Sequence, residues 1–335
     1  MKITYSGYKG PFSVSTLLHA DAQVRHRPVT RLSAFGRLLA ILLLLAGSTG
    51  SAFAQYPIPD NAKVLFIGNS LFGSGSGNVG PFTDAALKEM GYSGIEWGAV
   101  GNWAKSLDWG LTNISKYNTI LPGGKGQQSN YDPNAQRLLT EFIRLGPNGI
   151  EDDNDWDYVV LQGYADDDDP DNVIDPAQPS GVSGSFFNAV VTLNNVAQEV
   201  GAQTVLYMRW AINPDDDLSR ENQFTNATAN LSSNYDTIGA HLGLPVVPVA
   251  LIAKELTLTT PPDTSVLPAS FDRVNYLWGD IIHQTNYAKG MFGYAIAAIL
   301  AQQSPVGRPF EYGPYEDVPG SLDFAPQQAV WKIIS

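Results

Sequence analysis

The chain has 335 residues, of which 20 are basic and 33 acidic, with no cysteine and a formal charge of −13. Disulfides, thiolate catalysis and cysteine-bound zinc are excluded, and the charge opposes nucleic acid and anionic lipid as partners. Six of the basic residues but only one of the acidic ones lie in 1–54, so the rest carries a formal −18 over a length that suits one large α/β domain.

The first segment reads as an address rather than as fold. Arg25, Arg27, Arg31 and Arg37 precede the apolar block at 38–47, and Ala52-Phe53-Ala54 stands before Gln55. A basic region, a short apolar core and an A-x-A site are the parts of an export signal. The block is too short for a comfortable bilayer span. The expectation is that 1–54 is a signal peptide and 55–335 a single domain, periplasmic or extracellular, without stable membrane association after cleavage. An uncleaved anchor is the alternative.

Val64–Ile67 reads as a buried strand ended by Gly68. Phe82–Met90 has helical spacing and stops at Gly91, a candidate C′ glycine. Ile95–Val100 is a second strand, and 102–130, rich in Gly, Asn and Ser, an irregular excursion. Asn134–Leu145 reads as a helix ended by Gly146, Tyr158–Leu161 as a third strand, and Phe186–Val200 as a helix ended by Gly201. Thr204–Trp210 is a fourth strand, Glu221–Leu242 a long helix ended by Gly243, Pro245–Leu251 a fifth strand, and Asn286–Gln302 the last helix. From about Ser304 a proline-bearing tail is expected to run extended over the surface. Strands that are near-continuous apolar runs, alternating with helices, argue for a parallel sheet covered on both faces. In such sheets ligands bind at the carboxyl ends of the strands, and Ser70 and Gln162 both fall there.

Ser70 follows the first strand in Gly68-Asn69-Ser70-Leu71, and Asp280-Ile281-Ile282-His283 opens the last helical stretch. A serine hydroxyl needs a base within hydrogen-bond reach and donors aimed at the developing oxyanion. Of the four histidines, His19 and His26 leave with the signal, so His241 and His283 remain. His241 closes a long helix, where a positive ring complements the dipole or faces solvent. His283 stands three residues after Asp280, a spacing that lets the carboxylate reach the ring nitrogen turned away from the serine. Ser70, His283 and Asp280 are thus the candidate nucleophile, base and orienting carboxylate.

These residues resemble the SGNH hydrolases, the GDSL-type esterases and lipases. Gly68-Asn69-Ser70-Leu71 is similar to the family's first block, and Asp280-x-x-His283 to its last. The two lie near the ends of the expected domain, so the resemblance spans nearly all of it. It implies a flavodoxin-like three-layer α/β/α sandwich with a central parallel sheet, and an oxyanion hole. The second block donates a glycine amide, for which Gly98 and Gly101 are candidates, Gly101 being preferred because Val100 reads as the last strand residue. The third block, ordinarily Gly-x-Asn-Asp, is replaced by Gln162-Gly163. That departure resembles a variant in carbohydrate-acting branches. By this resemblance the hole comprises the amides of Ser70 and Gly101 and the side chain of Gln162, and no cofactor or metal is implied. The expected activity is a serine esterase acting on short acyl esters, O-acetyl groups on carbohydrate favoured, with lipid ester the next choice. An inactive fold that grips a polysaccharide is the alternative.

Three other features compete. Gly75-Ser76-Gly77-Asn78-Val79-Gly80, with Glu96 downstream, fits a dinucleotide fingerprint, but residues 68–74 separate it from the strand it should follow. It reads instead as a loop beside Ser70. The acidic runs 151–157, 166–171 and 215–217 lack the spacing of a calcium loop and read as solvated. Trp103 and Trp278 lie near block residues, and indole faces stack on sugars, though core packing explains tryptophan equally well.

Overall fold

The computed structural model describes residues 57–69, 72, 79–101, 105–113, 118–120, 137–147, 155–164, 177, 184–210, 228–256, 284–307, 330 and 332–334. In chain order the elements are β1 (Ala62–Gly68), α1 (Gly80–Glu89), β2 (Ile95–Gly101), α2 (Leu107–Thr112), β3 (Asn118–Ile120), α3 (Leu139–Arg144) and β4 (Tyr158–Leu161). They continue with α4 (Gly184–Glu199), β5 (Gln203–Tyr207), α5 (Thr228–Leu242), β6 (Val246–Val247), α6 (Val249–Lys254) and α7 (Asn286–Ala301). All belong to one unit within Ala52–Ser335.

Five strands are parallel in the order β2-β1-β4-β5-β6, and β3 pairs antiparallel along the outer edge of β2. Counting parallel strands alone, the order is the flavodoxin-like 2-1-3-4-5. The chain winds outward one way from β1 to β2 and the other way from β1 to β4. The crevice where that direction changes opens at the carboxyl ends of β1 and β4.

The pleat sends alternate side chains to opposite faces, and both faces are buried. Val64 and Phe66 of β1, Tyr158 and Val160 of β4, and Val205 and Tyr207 of β5 pack against α1, α6 and α7. Their neighbours Leu65, Ile67, Val159, Leu161 and Leu206 pack against α2, α3, α4 and α5. This is the expected three-layer sandwich, and it explains why Val64–Ile67 of β1 and the whole of β4 are continuous apolar runs. Helix α1 ends as its glycine dictates. Gly91 takes φ +96°, and Tyr92 N–H donates back to Leu87 O at 3.0 Å.

Five expectations change. The excursion at 102–130 contains α2, capped by Ser106 Oγ accepting from Trp109 N–H at 3.0 Å, and the edge strand β3. Pro245–Leu251 is not one strand: pairing lasts only through Val246–Val247, and α6 begins after Pro248. Proline has no N–H for a ladder, and a short apolar run fits a buried helix as well as a strand. The fourth predicted strand stops at Tyr207, so Met208, Arg209 and Trp210 lie beyond its end. The chain terminus does not simply skirt the surface. Val330 is fully buried, Ile333 and Ile334 pack on the same core, and Lys332 pairs with Glu255. The helix predicted from Asn134 starts only at Leu139, after Leu138 in extended backbone, with 134–136 outside the described residues. The beginning of the helix predicted from Glu221 also lies outside them.

Candidate active site

The carboxyl ends of the strands bring together Gly68 at the end of β1 with Asn69 after it, Gly101 at the end of β2, and Gln162 and Gly163 after β4. Ser70, Asp280 and His283 lie outside the described residues. Their flanks are described. Phe72 N–H donates to Asn69 O at 3.0 Å. The Phe72 ring is wedged between Phe66 and Tyr207, with centroids 5.4 and 4.6 Å away. Next in the chain after His283, Gln284 is buried, and Thr285 Oγ1 caps α7 by accepting from Ala288 N–H at 3.3 Å.

The seam between β1 and β4 is tight. A Cβ on Gly68 would stand 2.5 Å from Gln162 Oε1 and 3.1 Å from Gln162 Cβ. Glycine in the first motif position is therefore a matter of space. Gln162 N–H continues the ladder to Ile67 O at 2.9 Å. Asn69 N–H reaches Gln162 Oε1 in a long contact of 3.5 Å, and Asn69 Nδ2 donates to Gly163 O at 3.3 Å. Gly163 N–H donates to the Tyr235 hydroxyl at 3.1 Å.

Gln162 is 1% exposed, and its Nε2 is closed to solvent with no hydrogen-bond partner. An unmade hydrogen bond inside a protein costs about 1–3 kcal/mol, so such groups call for an explanation. Among the described residues Nε2 of Gln162 is the one nitrogen in this condition; the other such atoms are oxygens. The Oε1 contact with Asn69 N–H sets which way the amide faces, because an N–H needs an oxygen opposite it.

Gly101 is the last residue of β2, opposite Gly68 on β1 and Asn118 on β3. Gly98 lies inside the strand, opposite Leu65, and so away from the rim. His241 is exposed on the last turn of α5, its ring edge-on to Phe187 at 5.2 Å. Because α5 returns the chain to the start of β6, that turn lies at the opposite end of the sheet. Among the described residues no group of His, Asp or Glu could hold a metal ion, and no helix is long and apolar enough to cross a membrane. Of the acidic runs only Asp155 and Asp157 are described, and Asp157 accepts from Lys63 N–H at the far end of β1.

Sequence reasoning overlooked three residues near this rim. Tyr235 is a fully buried helix residue whose periodicity marks it only as core. Tyr207 is likewise buried, and burial holds its phenol neutral with a pKa well above the usual value. Arg209 has no exposed surface and donates to Trp210 O at 2.7 Å. It alone was detectable, as a charge in an otherwise apolar run.

No family model matches the chain, and no curated protein does. Solved structures do. A DUF4886 family protein from Bacteroides uniformis superposes with TM-score 0.53 at 13% identity, covering 82% of this chain and 95% of its own. That likeness shows the fold. A putative GDSL-like lipase from Parabacteroides merdae gives TM-score 0.42 at 11% identity over 72% of this chain and 98% of its own. An acetylxylan esterase from Geobacillus stearothermophilus gives 0.40 at 11% identity over 78% and 100%. The similar structures thus include esterases, at a distance that carries no assignment of residues.

Proposed function

We propose that the protein is an exported serine esterase of the SGNH type, with Ser70 as nucleophile, His283 as base and Asp280 orienting the imidazole. The observation that carries this reading is the buried, unpartnered Nε2 of Gln162 at the switch point of the sheet. A donor held without a partner beside the end of β1 suits an oxygen that is absent in the resting state and charged in the transition state. The donor is closed to solvent, so an acyl oxygen reaches it only when neighbouring atoms give way. The tight Gly68 seam and the contact of Asn69 N–H with Gln162 Oε1 add support, since they hold the two residues before Ser70 against Gln162.

In the proposed reaction His283 takes the Ser70 proton as the hydroxyl attacks an ester carbonyl. The Ser70 and Gly101 amides and Gln162 Nε2 hold the tetrahedral oxyanion. The alcohol leaves with the proton from His283, water attacks the acyl-enzyme, and His283 acts again as base. The chemistry calls on no cofactor. The substrate class we favour is a short acyl ester, an O-acetyl group on carbohydrate, because glutamine replaces the usual asparagine and the chain is rich in tryptophan.

The test is hydrolysis of p-nitrophenyl acetate and butyrate by the purified protein beside Ser70→Ala. Turnover lost in the variant is expected, and acetylated glycans and lipid esters then separate the substrate classes. Equal rates in both proteins, or none in either, would overturn the esterase reading and direct attention to glycan binding.

A further inference from the structure

We propose that Tyr235 and Asn69 are positioning residues that together hold Gln162 in its donor orientation. The inference rests on the oxyanion role proposed for Gln162 and adds the means by which that role is kept.

Gln162 is followed by Gly163, and glycine resists rotation less than any other residue. Left to itself this pair would let the side chain swing. Three bonds prevent it. Gln162 N–H is held by Ile67 O at 2.9 Å on the strand side. The peptide between Gln162 and Gly163 is held through Gly163 N–H by the Tyr235 hydroxyl at 3.1 Å. The next carbonyl, Gly163 O, is held by Asn69 Nδ2 at 3.3 Å. With the backbone fixed on both sides, the Cα–Cβ direction of Gln162 is fixed too. Asn69 N–H then takes Oε1, and Nε2 is turned to the side where it has no partner.

Tyr235 can serve as an anchor because it cannot move. It has no exposed surface, sits on the sheet-facing side of α5, and its ring packs on Phe186 with centroids 5.2 Å apart. It reaches the rim from a helix in the opposite layer to α1 and α7. Asn69 approaches from β1. The glutamine is therefore clamped between the strand that leads to Ser70 and a helix that carries no predicted catalytic residue.

Displacing a catalytic group by about an ångström can cost up to about a hundredfold in rate. Tyr235→Phe is expected to lower kcat on p-nitrophenyl acetate about tenfold with KM within about twofold, as befits an interaction used in the transition state. In a Gln162→Ala background the same change should have almost no effect, because the group it positions is gone. An equal loss in both backgrounds, a change in KM alone, or no loss at all would overturn the proposal. If Gln162→Ala by itself leaves kcat unaltered, the oxyanion reading fails. The clamp is then judged by NMR of the Gln162 side-chain amide, whose protons should shift and exchange faster in Tyr235→Phe; an unchanged amide would sink the clamp as well. Thermal unfolding accompanies each variant, and Asn69→Ala supplies the same cycle should Tyr235→Phe not fold.

Discussion

Two regions compete for attention, and they differ in kind. A groove of about 820 Å³ runs between α5 and α6, lined by Ser232, Asp236, Thr237, His241, Leu251 and Lys254. It holds a serine, a carboxylate and a histidine, the residue types of an acyl-transfer site. Yet its carboxylate is already engaged. Ser232 Oγ donates to Asp236 Oδ2 at 3.2 Å, while burial raises the Asp236 pKa and that bond lowers it. Its histidine is exposed and lies at the wrong end of the sheet. The seam between β1 and β4 is closely packed at Gly68, but it keeps a buried amide nitrogen without a partner. Volume marks where a ligand fits. An unsatisfied donor inside a fold marks where a charge is awaited.

The largest effect expected comes from the residues that would do the chemistry. Ser70→Ala and His283→Ala should each cut kcat by up to about six decades while the melting temperature holds, by analogy with other serine triads. If instead Ser232→Ala abolished turnover, the comparison would be reversed. Gln162→Ala is expected to lower kcat by about two to three decades with little change in KM; a rise in KM alone would make it a ground-state contact. Gly68→Ala tests the tightness of the seam. The new methyl meets Gln162 Oε1, and overpacking of this sort costs about 1–3 kcal/mol of stability, measured by denaturant unfolding, together with lost activity. His241→Ala should be the mildest. It forfeits an edge contact with Phe187 worth at most about 1 kcal/mol, and kcat should not move.

Much of the architecture was legible because it rests on local rules. The strands at 64–67 and 158–161 were visible as apolar runs since parallel strands in a covered sheet are buried on both faces. The helix stops were visible as Gly91, Gly146, Gly201 and Gly243, each of which takes a positive φ. Where local rules conflict, the reading failed. Pro245–Leu251 carries a strand and a helix within one apolar stretch, and short apolar runs do not declare their period. The polar stretch after β2 hid α2, whose signal was a single capping serine.

The site divides the same way. Gly68 and Gln162 could be marked from sequence, because each stands where an apolar run ends and a parallel sheet puts all strand ends on one rim. That Gly68 must lack a side chain, that Asn69 grips Gly163, and that Tyr235 reaches the same turn from 72 residues away could not be read from the chain. Those facts depend on which strands become neighbours. The order of residues determined that β1 and β4 are buried and where they end. Only the tertiary structure set β4 beside β1 rather than beside β2, and it is that pairing which brings Gln162 to Asn69.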